Sequence, residues 1–271
     1  MKQIKGFRLW QILYPVLIYY VVESVAFLFL GLLIGTAQET YMMRQMICGL
    51  ITIPFLYLMF YRKDRAMEKI VMTEDTLSSV AKEQKMEYLI KCIQDGALSI
   101  AGAAALGIAL NNIIAQTPLM SLSEGYQETN TAFFAGGMLF ELLGSGFVIP
   151  IVEELLFRGI VYKRLRIWMG WQKALVFSAL FFGLIHMNLV QFVYAGLLGA
   201  FLALLLEKTG KFYMAVLAHM TANVIAIVRA ETDWLSFSYQ MTPQGILFTC
   251  VLLAAAGLIV RYFMVRETKQ K

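Results

Sequence analysis

The sequence predicts an all-α polytopic transmembrane bundle of about eight spans with both termini in the cytoplasm, and three observations carry that prediction. Hydrophobic residues make up 59% of the 271 and charged residues 15%, against about 45–50% and about 25% in water-soluble domains. Apolar runs long enough to cross a bilayer recur from end to end, and the basic residues between them alternate by side. The mean hydropathy of +0.67 agrees. Five prolines and twenty glycines without a period exclude collagen-like, proline-rich and repeat architectures. Residues 1–271 therefore read as a single transmembrane domain, with variable N-terminal spans over 1–131, core spans over 132–228, and an outer loop, last span and cytoplasmic tail over 229–271.

The first span is expected over 9–34. Lys2, Lys5 and Arg8 precede it as in a signal peptide, but the run is too long and ends without a small-residue cleavage pattern, so it is read as retained. The other seven fall at 41–61, 96–116, 132–160, 172–187, 190–206, 212–228 and 244–262. From Ala174 to Leu206 no charge occurs, and two short spans broken near Met187 and Asn188 preserve the alternation that one long helix would scramble. On this reading 21 of the 23 Lys and Arg residues share one side, leaving Arg44 and Arg229 on the other. That bias sets the orientation.

Between the second and third spans, segment 62–95 carries Leu77, Val80, Met86, Leu89, Ile90 and Ile93 at roughly helical spacing among Lys and Glu. It is expected to be an interfacial helix leading into the third span. There, Ala97, Ala101, Ala105 and Ala109 recur every four residues, a stripe that predicts close approach of another helix. Cys48, Cys92 and Cys250 are far apart and imply neither a disulfide framework nor a cysteine metal site. The net charge of +5 is read as orientation and contact with membrane lipid headgroups, not nucleic-acid binding.

Ionisable side chains at membrane depth cost about 2.5–3.5 kcal/mol each, so every one asks for a partner or a function. They are Glu23, Arg44, Glu141, the cluster Glu153, Glu154 and Arg158, and then His186 and His219 with Asn223. The two histidines are the only ones in the chain. Glu154 and Arg158, four apart, share a helix face and can pair, while Glu153 is turned about 100° away toward a different neighbour. His219 and Asn223 share a face in the same way, and Phe182 can pack beside His186. A turn at Gly170 makes Glu153 and His186 level, and a turn at 208–211 lifts His219 and Asn223 roughly 15–20 Å up their helix. All four are expected to meet in a polar chamber inside the membrane. Glu23 is expected to be a helix–helix partner, Arg44 to snorkel to the outer surface, and Glu141 to face elsewhere; none of the three is assigned to the site.

The segments Glu153-Glu154-Leu155-Leu156-Phe157-Arg158, Phe182-Gly183-Leu184-Ile185-His186 and His219-Met220-Thr221-Ala222-Asn223 resemble, in this order on successive apolar segments, the EExxxR, FxxxH and HxxxN motifs of the CAAX-protease and bacteriocin-processing family of intramembrane proteases, also called abortive-infection proteins. The resemblance covers 153–223, about a quarter of the chain, and says nothing of Glu23, Arg44 or 62–95. It implies an eight-span membrane endopeptidase acting on a membrane-associated or lipidated protein or peptide, of CAAX type or in bacteriocin and peptide processing. The expected location is the plasma membrane of a bacterium.

Amide hydrolysis needs an activated water, a stabilised oxyanion and a proton for the leaving amine. Glu153 is the candidate base and subsequent acid, His186 would hold the same water, and His219 with Asn223 would donate to the oxyanion. Arg158 would neutralise Glu154, with Phe182 in support, and meet a substrate carboxylate. The same atoms allow a zinc site of His186 and His219 with Glu153 or Glu154. The absence of an HExxH helix and the poor ligand character of Asn223 favour the glutamate mechanism, which requires no cofactor. Two other classes remain open on sequence: a non-catalytic immunity or scaffold protein on the same core, and a transporter using the Glu and His as a proton relay.

Overall fold

The computed structural model describes residues 2–64, 82–123 and 125–266, with side chains at 9–64, 86–123 and 125–266. Every regular element among the described residues is helical. In chain order they are α1 (Lys2–Ile34), α2 (Tyr41–Leu56, continued by a π-helical turn Tyr57–Tyr61), α3 (Lys82–Gln116), α4 (Tyr126–Phe133), α5 (Met138–Met169), α6 (Trp171–Leu184), α7 (Leu189–Thr209), α8 (Phe212–Glu231) and α9 (Pro243–Val265). Six of them, α1, α2, α3, α7, α8 and α9, are long and apolar enough to cross a membrane. The remaining two apolar segments are less simple.

The span expected over 132–160 is interrupted. Tyr126–Gly136 and Met138–Met169 meet at 107°, and the bend is taken up by Gly137 at φ +82°, a conformation that costs a glycine little. Counted as one bent span, the pair is the seventh. α6 has 14 residues, about 21 Å of helix against about 30 Å of bilayer hydrocarbon. Its ends are nonetheless well defined. Gly170, at φ +79°, turns the chain from α5 into α6. Beyond α6, Met187 takes φ 59°, and the Asn188 side chain accepts the Gln191 amide as the N-cap of α7.

Charges sort by end. Arg164 pairs with Asp64 at 2.9 Å and reaches the Gln11 carbonyl, Arg166 pairs with Glu207, and Lys208 donates to the Arg266 carbonyl at 2.9 Å. These contacts bring the start of α1 and the ends of α2, α5, α7 and α9 to one end of the bundle. Arg229 lies toward the other end, wholly buried, donating to Asn112 Oδ1 at 2.7 Å and Ser238 Oγ at 2.9 Å and lying over the Tyr239 ring. Arg44 is buried too, stacked on Phe27 at 4.2 Å. It does not snorkel, because the aromatic face supplies a partner within the bundle.

The third span also departs from expectation. Residues 65–81, which include Leu77 and Val80, lie outside the described residues; from Lys82 onward the chain runs unbroken into the span, with Met86, Leu89, Ile90 and Ile93 exposed on the same helix. Ala105 and Ala109 are buried, but Ala97 and Ala101 are exposed. A four-residue repeat drifts about 40° per step around a helix of 3.6 residues per turn, so the stripe leaves the contact face. Close approach runs instead through Gly102, where a Cβ would meet Phe201 Cζ at 2.6 Å.

Two apolar clusters hold the arrangement. One, built on Leu56, Phe157, Ile160, Val161 and Phe182, locks α5 against α2 and α6; the other, built on Ala103, Leu202, Ala218 and Phe263, joins α3, α7, α8 and α9. In a bilayer such contacts stabilise by packing, since lipid tails are as apolar as leucine. The polar side chains treated next sit between the two clusters.

Candidate active site

The site is assembled from α5, α6 and α8, with α7 as its back wall. Glu153 and Glu154 lie on the last α-helical turn of α5 before a π-helical stretch, Phe157–Tyr162, and the Phe157 N–H is shared between their two carbonyls. Such widened turns re-aim side chains and recur at functional sites. Glu154 Oε1 pairs with Arg158 Nη1 at 2.9 Å, both side chains wholly buried. Arg158 also donates to the Gly199 carbonyl at 2.9 Å and lies 4.5 Å from the Phe182 ring centre. It is sealed inside the bundle and has no surface for a substrate carboxylate, contrary to the sequence expectation, because α7 approaches through Gly199. A Cβ there would stand 2.8 Å from Phe182 Cδ1 and 3.0 Å from Arg158 Nη2.

His219, on α8, bridges the two carboxylates. Its Nδ1 is 2.9 Å from Glu154 Oε1 and its Nε2 is 3.5 Å from Glu153 Oε2. His186 stands just past α6, with Nδ1 2.8 Å from the Phe182 carbonyl and Nε2 3.9 Å from Glu153 Oε1. Phe182 holds both rings edge-on, at 5.2 Å from His186 and 5.8 Å from His219. The exposures divide the roles. Glu153 is 18% and His186 20% exposed, whereas Glu154 is 0%, so the first pair is open to the chamber and the third residue is sealed. Glu153 and Glu154, 100° apart on their helix, thus meet opposite nitrogens of one imidazole.

Asn223 is one turn from His219 on α8, and its amide donates to the Ser145 carbonyl at 2.9 Å. That oxygen belongs to a second π-helical stretch of α5, Leu142–Val148. One amide hydrogen therefore fixes α8 to α5, and the second is free of this bond.

Residues 135–225 match the family model described as Rce1-like, type II CAAX prenyl endopeptidase. Over these residues the chain is similar to that family. The match agrees with the CAAX-protease and bacteriocin-processing family, and it supports an intramembrane endopeptidase of CAAX type at the level of the family. Comparisons with curated proteins and with solved structures gave no match. The Rce1-like segment contains Glu153, Glu154, Arg158, Phe182, His186, His219 and Asn223.

Three residues outside the matched segment lie near Glu153. Tyr19, Tyr20 and Glu23 of α1 are within electrostatic reach of Glu153 and of one another, and the two tyrosines pack against the α5 cluster. Sequence reasoning left Glu23 out of the site. The available signal was its spacing with Tyr19, four residues apart on one helix face, but nothing local indicated which helix that face would meet. Glu141 is buried, and neither carboxylate oxygen has a hydrogen-bond partner among the described residues.

Zinc was the sequence alternative for the histidines. Among the described residues no group of three His, Cys, Asp or Glu side chains is arranged to hold a metal ion. His219 has one nitrogen committed to Glu154, and the His186 and His219 Nε2 atoms stand 3.9 and 3.5 Å from different oxygens of Glu153. The arrangement does not fit a preformed metal shell.

Proposed function

We propose that the chain is an intramembrane endopeptidase of glutamate type, acting on a membrane-associated, lipidated peptide or protein. The observation that carries this reading is the position of Glu153, an accessible carboxylate between the Nε2 atoms of two histidines whose Nδ1 atoms are both engaged. The 3.9 Å separation of Glu153 from His186 is too long for a direct hydrogen bond; one water held there would donate to both, since the His186 Nδ1–H goes to the Phe182 carbonyl and leaves Nε2 as an acceptor. Glu153 takes the proton as that water attacks the scissile carbonyl, and returns it to the leaving amine.

His219 supplies the oxyanion donor. Its Nδ1–H is held by Glu154, so Nε2 carries a hydrogen only when the ring is doubly protonated. Asn223 adds its second amide hydrogen from the same helix face. Preorganised donors of this kind typically contribute about 10²- to 10³-fold each.

The test is cleavage by the full chain reconstituted in liposomes, with a prenylated CAAX reporter beside the same peptide lacking the lipid. Turnover of the lipidated reporter that disappears with Glu153→Gln is the expected result. A wild-type chain that cleaves neither reporter while binding both would instead favour the scaffold reading.

A further inference from the structure

At the end of the bundle where the cations collect, α3 and α9 leave a groove of about 510 Å³ between them. Its walls are Lys91 from α3 and Leu258, Arg261, Tyr262, Val265 and Arg266 from α9 and its C-cap. Three features make it more than a charged surface. First, the cations come from two helices and converge: among the described residues, Lys91 and Arg261 have no ion-pair partner. Second, Arg266 is held in place, its Nη1 paired at 2.5 Å with the buried Asp95 carboxylate, which also accepts the Tyr262 hydroxyl at 3.4 Å, and its carbonyl accepting Lys208. Third, the groove is apolar along one edge. Leu258 and Val265 are 67% and 75% exposed, seven residues apart and so on one face of α9.

A cluster of basic groups directly above exposed leucine and valine, flanked by a tyrosine, is complementary to one kind of molecule. It must carry an anionic head and an apolar chain, with the head at the level of the aromatic and basic residues that mark a membrane interface. A soluble anion would satisfy Lys91 and Arg261 and leave the Leu258–Val265 edge uncovered. A zwitterionic lipid would cover that edge and bring a positive charge toward Lys91 and Arg261. We infer that this groove is a binding site for an anionic phospholipid, with the phosphate between Lys91, Arg261 and Arg266 and an acyl chain along Leu258 and Val265. The site is separate from the Glu153 chamber, and it stands whether or not the chain is a protease. Its effect is to tie the start of α3 to the end of α9.

The experiment uses the full chain in a neutral detergent, titrated in parallel with phosphatidylglycerol, phosphatidylcholine and inorganic phosphate, reading the thermal midpoint and the lipid retained in native mass spectra. Phosphatidylglycerol is expected to be retained and to raise the midpoint, with the other two doing neither. Each basic group beside an anionic head contributes about fivefold in affinity, so Lys91→Gln with Arg261→Gln is expected to weaken phosphatidylglycerol binding roughly 25-fold. The pair Lys91→Arg with Arg261→Lys retains it. Should the double glutamine variant not fold, Leu258→Ser, at an exposed position, is expected to weaken lipid retention on its own. Equal stabilisation by phosphatidylcholine, an unchanged phosphatidylglycerol preference in the glutamine or serine variants, or full stabilisation by phosphate alone would each overturn the assignment.

Discussion

His219 Nδ1 stands 2.9 Å from Glu154 Oε1, and that single contact decides what the other side of the imidazole can do. Glu154 has no exposure and a guanidinium on the same oxygen, so its charge is fixed in place by Arg158 and spent on orienting the ring. Carboxylate, histidine and reacting group in a line is the arrangement by which many hydrolases set a tautomer.

Glu154→Gln therefore keeps the shape and removes the charge. Cleavage is expected to fall about 10²- to 10⁴-fold, the range for loss of an orienting carboxylate, while lipidated reporter still binds. Glu154→Ala goes further and leaves Arg158 as a buried unpaired cation, which costs about 3–5 kcal/mol. Turnover and thermal midpoint measured on both variants separate the effects: full turnover in the glutamine variant would show that the pair is structural only.

Gly199 is the second point at which packing and chemistry meet. A methyl group there would press on Phe182 and on the Arg158 guanidinium at 2.8 and 3.0 Å, and Phe182 holds both histidine rings. Gly199→Ala is expected to cost about 1–3 kcal/mol, as overpacking generally does, and to reduce cleavage without touching any reacting atom. The check is the order of loss on gentle warming: activity should disappear below the unfolding midpoint, because the rings shift before the bundle opens.

Much of this was legible in the sequence, for reasons that particular residues make plain. The charge alternation that required a break near Met187 and Asn188 reflects electrostatics at the membrane surface, and the break is made by local chemistry, an Asn188 N-cap. The four-residue spacings of Glu154 with Arg158 and of Phe182 with His186 are helix geometry and needed no tertiary knowledge. What spacing could not supply was the partner across helices. Arg158 meets Gly199, Asn223 meets Ser145, and Glu23 comes within electrostatic reach of Glu153, each across more than 40 positions of sequence. The bend at Gly137 was hidden for a different reason, since two glycines in an apolar run leave its hydropathy unchanged.

Metal content is decided by donor geometry. With His219 Nδ1 on Glu154 and the two Nε2 atoms on different oxygens of Glu153, binding a zinc ion would require the three groups to draw together. The purified chain is expected to contain well under one zinc per molecule and to cleave in the presence of a strong chelator. Elemental analysis of the wild type and of His186→Ala in parallel checks this. Stoichiometric zinc in the first and none in the second, with chelator-sensitive cleavage, would replace the glutamate mechanism with a metal one.

The last prediction separates catalysis from support at the same carboxylate pair. Glu153 touches no side chain within direct hydrogen-bond distance among the described residues, and 18% of its side chain is exposed. Removing its charge therefore strands no buried partner. Glu153→Gln is expected to abolish cleavage, by about 10²-fold at the least for a lost general base, with the thermal midpoint within the few degrees that a change of under about 1 kcal/mol produces. His186→Ala should behave likewise, since its Nδ1 bond is to a backbone carbonyl of its own helix. His219→Ala should lose both activity and stability, because Glu154 then keeps a single partner in a sealed interior. A chemical role for Glu153 would be ruled out by full turnover in its glutamine variant, whatever the midpoints.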